Sequence, residues 1–377
     1  MQFKFLPLAV MGTVAFTTTA PMASHATPRQ RRVETVFTSS NETSGNRILA
    51  FQEDRSGRLQ LKYSIPTGGT GTGGGLGNQS AIKFSPGRRW LLSVNAGSND
   101  VSVFDSWKGK LKLTDRVSSN GERPVSVAVQ GNFVYVVNAG SNSVSGFRLN
   151  RFTGKLKPLP NSSRALSSDN TAPAQVSFTP NGRALIVTEK ATQKIASFPI
   201  ERNGYLGQAT FNQSSGQTPF GFAFNRRGQL FVSEAAGGAP GASSLSSYNV
   251  RRQGRNRGQL TAITPSSPTN QTAACWVVIT RNGRYAYTTN TGSGTITGYR
   301  INRRGQLSLL NPDGLTANTG EGSAPLDMAL SRNNRELYVL NSGTNTIGAF
   351  DVNRDGSLTA KAGAEGLPQG STGLAVR

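Results

Sequence analysis

Short apolar runs and polar turns alternate along most of the chain, and one combination of them recurs. Phe133–Val137 is apolar at every position, which is typical of a buried strand. Asn138–Asn142 consists of Asn, Ala, Gly and Ser, a composition that favours a tight turn. Ser143–Phe147 then predicts the returning strand of a hairpin. Related hairpins begin at Trp90, Tyr285 and Leu337. A unit that recurs in this way predicts a repeat protein.

The last residue before each hairpin turn, called here the marker position, gives the period of the repeat. It is occupied by Asn95, Asn138, Glu189, Glu234, Asn290 and Asn341. Successive markers are 43, 51, 45, 56 and 51 residues apart, and the hairpin at Thr35–Phe51 adds a seventh copy. Each copy has room for about four strands. The spacing predicts an all-β fold, a seven-bladed β-propeller of four-stranded antiparallel blades.

The two ends of the repeat region complement each other. The first copy lacks an innermost strand before Thr35, and the C-terminal segment Gly370–Arg377 is a spare strand that resembles Pro124–Val129, the opening strand of another copy. We therefore expect the C-terminal strand to complete the first blade, which would close the ring and leave no exposed edge.

The N-terminus has the pattern of an export signal. Lys4 precedes the mostly apolar stretch Phe5–Phe16, and Ser24–Ala26 resembles a small-x-small cleavage site. The pattern predicts a signal peptide over residues 1–26, a flexible arm over 27–32 and a propeller over 33–377. The expected location is the periplasm or the extracellular space. No apolar run reaches the roughly 20 residues of a transmembrane helix.

Removal of this leader would change the available chemistry. His25 is the only histidine of the chain, so the mature protein would lack the usual general base and the commonest metal ligand. Cys275 is the only cysteine, which excludes an internal disulfide and any Cys/His metal-binding spacing. Neither a metal nor a cofactor is expected.

The repeat resembles the lactonase family of seven-bladed propellers, whose blades carry a Tyr-Val-Thr-Asn-type motif. The matching segments are Tyr135–Asn138, Tyr285–Asn290 and Tyr338–Asn341, and the resemblance extends over Val33–Arg377. The family includes 6-phosphogluconolactonase and fungal carboxy-muconate cyclases, so the resemblance implies a lactone hydrolase. It also implies a site with His, Arg and acidic residues in the central funnel, but no histidine role can be transferred to a mature chain without one. The leader argues against a pentose-phosphate enzyme, whose substrate is cytosolic.

Strand connectivity places one group of polar residues at the same end of the central channel. These are the markers and the residues that open the innermost strands, because both lie at the same end of a blade. The candidate ligand-binding residues are Asn95, Asn138, Asn290, Asn341, Arg123, Gln175, Cys275 and Asp327. A nucleophilic role of the Cys275 thiol would need a nearby cation or base, so a packed or channel-lining thiol is favoured.

Two markers break the Asn pattern in adjacent blades, and they are the candidate catalytic residues. Glu189 and Glu234 near a shielded channel would form an acid/base pair, one of them activating water against a lactone carbonyl. Gln175 and the marker asparagines would then polarise the carbonyl oxygen. The alternative is that the Asn and Glu side chains cap their hairpins by binding local backbone N–H groups.

The charge points to a second class of function. The chain contains 41 Lys and Arg against 19 Asp and Glu, a net charge of +22. Much of this excess lies in turns expected at the opposite face of the propeller. The candidate polyanion-binding residues are Arg226, Arg227, Arg251, Arg252, Arg255, Arg257, Arg303 and Arg304. Such a cluster attracts polyanions, although a solvated surface tuned for solubility has the same composition.

The sequence therefore leaves two functions open. One is an exported lactonase-like hydrolase that binds a small lactone or sugar acid in its funnel. The other is a non-catalytic propeller that binds anionic surface polymers or partner proteins through its Arg-rich face. Nucleic acid is the less favoured polyanion, because export is expected and no aromatic-rich stacking strand is present. A monomer is expected.

Overall fold

The computed structural model describes residues 1–4, 34–107, 110–254 and 257–377. The expected signal-peptide cleavage site, the arm over 27–32 and Arg255 lie outside these residues, so these expectations stay predictions. The propeller forms the unit Val33–Arg377. No helix among the described residues has the length and the apolar character needed to cross a membrane.

Seven antiparallel sheets form the propeller, and blades 1 to 4 account for its first half. Blade 1 contains β1 (Thr35–Ser39), β2 (Arg47–Glu53) and β3 (Leu59–Pro66). Blade 2 contains β4 (Ile82–Phe84), β5 (Trp90–Asn95), β6 (Asp100–Asp105) and β7 (Lys112–Ser118). Blade 3 contains β8 (Pro124–Gln130), β9 (Phe133–Asn138), β10 (Ser143–Leu149), β11 (Leu156–Pro158) and β12 (Arg164–Ala165). Blade 4 contains β13 (Pro173–Phe178), β14 (Ala184–Glu189), β15 (Lys194–Pro199) and β16 (Thr210–Gln213).

Blades 5 to 7 and the closing strand complete the ring. Blade 5 contains β17 (Pro219–Phe224), β18 (Gln229–Glu234), β19 (Ser244–Val250) and β20 (Leu260–Pro268), with a 3₁₀ turn at Ala236–Gly238. Blade 6 contains β21 (Ala274–Ile279), β22 (Tyr285–Asn290), β23 (Thr295–Ile301), β24 (Leu307–Leu309) and β25 (Ala317–Asn318). Blade 7 contains β26 (Pro325–Leu330), β27 (Glu336–Asn341), β28 (Thr346–Val352) and β29 (Leu358–Ala364). The last strand is β30 (Thr372–Val376).

This arrangement confirms the predicted seven-bladed propeller and its closure. β30 pairs with β1 as the innermost strand of blade 1. Thr35 N donates to Arg377 O at 2.8 Å, and Arg377 N donates to Thr35 O at 2.9 Å. The first and last strands of the ring thus lie in one blade, which removes a free sheet edge.

The outermost strands of blades 3 and 6 differ from the simple four-strand expectation. β11 and β12 both pair with β10, and β24 and β25 both pair with β23, so the fourth strand of each blade is split into two short pieces. Pro160 lies in the first interruption and Pro312 in the second. Proline has no N–H for the strand ladder, which accounts for a break at these points.

The tyrosines of the repeated motif hold adjacent blades together. Tyr135 and Tyr287 are fully buried at equivalent positions in blades 3 and 6. Tyr135 donates its hydroxyl to Gly204 O at 2.6 Å, and Tyr287 donates to Gly356 O at 2.8 Å. Both glycines belong to the next blade. A buried tyrosine ring contributes apolar area while its hydroxyl needs a partner, and here the partner is the turn of the neighbouring blade.

The propeller has two faces that differ in the turns they carry. The top face is the one at which the innermost strands begin and the marker hairpins turn. The bottom face is opposite and carries the Arg-rich turns. The marker hairpins end on left-handed residues, with φ of 58° at Asn99, 44° at Asn142 and 52° at Asn345. Asparagine tolerates this conformation better than most residues, which explains the Asn that closes the repeated turn.

Candidate functional site

The marker asparagines lie inside their hairpins. All four are buried, and their amide Nδ2 atoms donate to hydroxyls of the following strand. The described contacts are Asn138 to Ser145 at 3.1 Å, Asn290 to Thr295 at 3.0 Å and Thr297 at 2.9 Å, Asn341 to Thr346 at 3.1 Å, and Asn95 to Ser102 at 2.8 Å and to Asp100. The partners are mainly side-chain hydroxyls rather than the backbone N–H groups expected of a cap. A ligand-binding role for these residues stays a prediction.

Glu189 replaces asparagine in blade 4 and has similar surroundings. It is 0% exposed. Its carboxylate accepts hydrogen bonds from Ser167 N at 3.2 Å and from Thr192 Oγ1 at 2.6 Å, and it also accepts from the Ser167 hydroxyl. All of these donors belong to the hairpin turn or to the loop that precedes blade 4.

Glu234 in blade 5 is also 0% exposed and has more donors. Three of them lie on β19, the third strand of its own blade, and two lie in the preceding loop. The donors are Ser244 at 2.5 Å, Ser246 at 2.6 Å, Tyr248 at 3.4 Å, Ser214 at 3.1 Å and Gly216 N at 2.8 Å. Glu189 and Glu234 thus have separate sets of partners, and the catalytic role predicted for them stays untested.

A short segment before β4 crosses the central channel. Gln79 N donates to Ala174 O of blade 4 at 3.0 Å. The Gln79 side chain donates to Val277 O of blade 6 at 3.0 Å and accepts from Val277 N at 3.2 Å. Ser80 N donates to the Asp327 carboxylate of blade 7 at 3.1 Å, and Ser80 O accepts from Val127 N of blade 3 at 3.0 Å.

Asn78 extends this set of contacts to a further blade. Its backbone O accepts from the indole N–H of Trp276 at 2.5 Å, its Oδ1 accepts from Thr372 of blade 1 at 3.1 Å, and its Nδ2 donates to Val125 O. Three consecutive residues reach the innermost strands of five blades only if they lie across the channel. We call Asn78–Ser80 the central plug.

Three of the predicted ligand-binding residues lie at the level of the central plug. Gln175 joins blades 4 and 5, since its side chain donates to Phe222 O at 3.0 Å and accepts from Phe222 N at 2.6 Å. Asp327 is buried beside the plug, and this burial raises the pKa of its carboxyl to about 6. The hydrogen bond from Ser80 and the charge of Lys83 lower this pKa but do not cancel the effect of burial. Burial likewise raises the pKa of the Cys275 thiol to about 11, so the thiol is protonated at neutral pH.

Lys190 and Arg123 remain at the top end of the channel. The Lys190 Nζ donates to Gly77 O at 2.5 Å and lies 4.6 Å from the centroid of the Phe220 ring. The pKa of Lys190 is lowered to about 8, with burial as the largest cause; Cys275 opposes the shift and the charge of Arg123 contributes to it. Arg123 is exposed. The channel mouth therefore combines an exposed guanidinium with a half-buried lysine that is partly deprotonated near pH 8.

Lys190 was not predicted from the sequence as a site residue, although the alignment of the copies contains a signal for it. It directly follows the marker of blade 4. The same position in the other blades holds Ala96, Ala139, Ala235, Thr291 and Ser342. A charged residue in a column of small ones is a deviation of the same kind as the two glutamates, but only the structure shows that this column faces the channel.

Comparison with known proteins identifies a family of similar sequences. The family model described as "Lactonase, 7-bladed beta-propeller" matches residues 32–168, 162–237 and 241–373. A 6-phosphogluconolactonase of Formosa agariphila is 35% identical over 85 residues, which is 21% of this chain and 24% of that protein. A 6-phosphogluconolactonase of Pectobacterium carotovorum is 25% identical over 119 residues, which is 31% of this chain and 36% of that protein. The matched segments thus span a quarter to a third of these relatives.

Solved structures with the same fold include two with lactonase names. A putative 6-phosphogluconolactonase from Bacteroides fragilis has a TM-score of 0.71 and 20% identity, covering 93% of this chain and 100% of that chain. The periplasmic gluconolactonase of Pseudomonas aeruginosa has a TM-score of 0.70 and 15% identity, covering 91% of this chain and 99% of that chain. At these identities the likeness establishes the propeller fold alone.

Proposed function

The chain belongs to the lactonase family of seven-bladed β-propellers, and we propose that it is an exported hydrolase of a small sugar-acid lactone. The observation that carries the proposal is the Lys190 amine at the top mouth of the channel. A general base is most effective when its pKa lies near the working pH, and Lys190 meets this condition in a chain whose only histidine lies in the expected leader. The export signal predicted over residues 1–26 supports the location.

The proposed reaction uses two groups of the channel mouth. The neutral Lys190 amine takes a proton from a water molecule as its oxygen attacks the lactone carbonyl carbon. The Arg123 guanidinium donates hydrogen bonds to the carbonyl oxygen, which becomes negatively charged. The ring C–O bond then breaks, and the Lys190 ammonium returns its proton to the departing ring oxygen. The product is the open hydroxy acid, and the amine is regenerated.

The local geometry is compatible with this role. A neutral amine keeps N–H groups for the Gly77 carbonyl and offers its lone pair to water. The Phe220 ring below the amine supplies an apolar surface that shields it from solvent. The central plug forms the floor of the mouth, so a ligand in this position is confined to the top face.

The pH dependence of hydrolysis tests this proposal. After subtraction of the spontaneous rate, kcat/KM is expected to rise with pH and to level off above about 8, because the neutral amine is the active form. Lys190→Met should lower kcat by about 100-fold or more and remove this rise. Lys194→Met is the matched control, since Lys194 lies in the same blade and contacts the Phe211 ring. Equal profiles for the wild type and Lys190→Met would contradict the proposal.

A specific cleft favours a second candidate function, the binding of an anionic polymer. On the bottom face, between blades 4 and 5, a cavity of about 210 Å³ is lined by five arginines. They are Arg183, Arg226, Arg251, Arg252 and Arg257. An adjacent cavity of about 950 Å³ shares three of them. Arg257 pairs with Glu201 at 3.0 Å, whereas the other four form no ion pair with a described carboxylate.

Salt-dependent retention on heparin tests this second function. The wild type should bind at low salt and elute as salt screens the charges. Arg251→Glu with Arg252→Glu should elute at clearly lower salt, because the double change leaves three arginines and two glutamates around the cleft and so removes most of its positive charge. Lys62→Glu with Lys112→Glu has the same net charge and alters exposed residues of β3 and β7. Equal elution of the two double variants would show that net charge, and not the cleft, governs retention.

A further inference from the structure

At one position of the innermost strands, six blades have a short, uncharged side chain and one blade has a lysine. In blades 2 to 7 the residue at this position pairs with the residue three places before the marker, as Ala128 does with Tyr135 and Lys83 with Leu92; in blade 1 Ala375 pairs with Phe37. The seven residues are Lys83, Ala128, Ser177, Ala223, Val278, Ala329 and Ala375. Six short side chains leave space along the channel axis, and blade 2 places the only long, charged side chain in this ring.

Lys83 lies in the channel on the bottom side of the central plug. Its side chain is exposed although it stands on the innermost strand of its blade. The two ring members that are almost fully buried, Ala128 and Ala375, belong to the blades on either side of Lys83. Water therefore reaches Lys83 through the channel itself. The protein around it lowers the pKa of Lys83 by desolvation, with Asp327 opposing and Arg88 adding to the shift.

The Lys83 ammonium forms no hydrogen bond or ion pair with any residue in the described part of the chain. Asp327 is the acid that acts on it electrostatically, but its carboxylate is already bonded to Ser80 N at 3.1 Å and Met328 N at 2.9 Å. An ammonium that is partly desolvated by the channel walls and has no partner in the described part of the chain favours a bound anion.

The bottom mouth of the same channel is surrounded by further cations. Arg88 donates to Val376 O at 2.8 Å. Desolvation is the largest cause that lowers the pKa of its guanidinium, and the neighbouring charges of Arg332, Arg281 and Arg377 act in the same direction. Glu34 is the acid that offsets this repulsion at Arg88. The Glu34 carboxylate also accepts from Arg332 N at 3.0 Å. Arginines from several blades thus lead to a channel that ends at Lys83.

We propose that this blind channel binds a phosphate group, free or as a phosphate monoester, between Lys83 and the arginines of the bottom mouth. A compact dianion matches a channel in which Lys83 has no described partner and the charges at the mouth are mainly guanidinium groups. The central plug separates it from the Lys190 site, so the ligand enters and leaves through the bottom face. The site is independent of the lactone chemistry proposed above.

Calorimetric titration of the wild type with inorganic phosphate, at low ionic strength, tests this site. Lys83→Ala gives blade 2 the residue already present at this position in four other blades, so the fold should tolerate it. The variant should bind phosphate about 10- to 100-fold more weakly, because a charge-assisted contact is lost. Lys62→Ala removes the same charge from the exposed outer strand and should bind like the wild type.

Two further arms make the outcome decisive. Glycerol 3-phosphate distinguishes an ester from the free ion: binding of both shows that the channel admits a substituent, and binding of phosphate alone restricts the site to the ion. Lys83→Met keeps the side-chain length and replaces Lys83→Ala if the latter does not fold. Wild-type affinity in the Lys83 variants, no phosphate binding by the wild type, or equal weakening in Lys62→Ala would each overturn the proposal.

Discussion

Deletion of Ser371–Arg377 is expected to prevent stable folding of the propeller at 37 °C. These residues include β30, the innermost strand of blade 1, with Leu374, Ala375 and Val376 all buried. A fully buried Leu or Val side chain contributes about 1.5–3 kcal/mol, and the backbone bonds to β1 are lost as well. The total approaches the 5–15 kcal/mol by which a typical domain is stable. The deletion also exposes the edge of β1, which favours aggregation.

Thermal unfolding followed by circular dichroism, together with limited proteolysis, measures this effect. Deletion of residues 1–32 is the control, because these residues precede the propeller unit, and its melting temperature should equal that of the full chain. A synthetic peptide of residues 370–377 should partly restore the truncated protein by adding back the strand. A truncated protein with the wild-type melting temperature would show that β30 does not hold the ring closed.

Glu234→Ala is expected to lower the free energy of unfolding by about 3–5 kcal/mol, the cost of leaving strongly bonded buried polar groups without their partner. The carboxylate accepts hydrogen bonds from Ser244, Ser246, Ser214 and Gly216 N, and the site is 0% exposed. Alanine leaves these donors buried and also creates a cavity.

Urea denaturation of three variants separates this structural role from loss of charge. Glu234→Gln keeps one acceptor oxygen and should lie between the wild type and Glu234→Ala. Glu122→Ala removes a charge from an exposed turn and should change the stability by less than about 0.5 kcal/mol. If Glu234→Ala were as stable as Glu122→Ala, the hydrogen bonds around Glu234 would contribute nothing to the fold.

The blade architecture was predictable because it repeats. The period of the markers, the apolar runs such as Phe133–Val137 and the spare strand Gly370–Arg377 all follow from local patterns that recur at a fixed spacing. Because each copy repeats the same contacts, the strands assigned in one hairpin also apply to the equivalent hairpins of the other copies. The split outer strands of blades 3 and 6 were missed, because the prolines that interrupt them fall outside the repeated hairpin.

The central plug was not predictable from the sequence. Asn78–Ser80 follows a glycine-rich stretch and has no counterpart in the other copies. Its partners lie 47 to 294 residues away along the chain, as with Val125 and Thr372. Contacts of this kind depend on the closed ring, and no local pattern encodes them.

The candidate site was predicted in part. Arg123 was selected and lies at the top mouth, whereas Lys190 and Lys83 were not selected. Each of these lysines stands in a column of small residues and could be detected by aligning the seven copies. The sequence does not show whether the residues of a column face the channel or a neighbouring blade. That depends on how the blades pack against one another.

The most direct test compares hydrolysis of an aldono-1,5-lactone by the wild type, Lys190→Met, Glu189→Gln and Glu234→Gln, each first shown to be folded. The proposed site predicts that the wild type hydrolyses the lactone and that Lys190→Met loses about 100-fold or more of the rate. The two Gln variants should stay within a few-fold of the wild type. Loss of activity in the Gln variants with full activity in Lys190→Met would contradict the role of Lys190 and favour the carboxylate pair, and no hydrolysis by the wild type would contradict the proposed function itself.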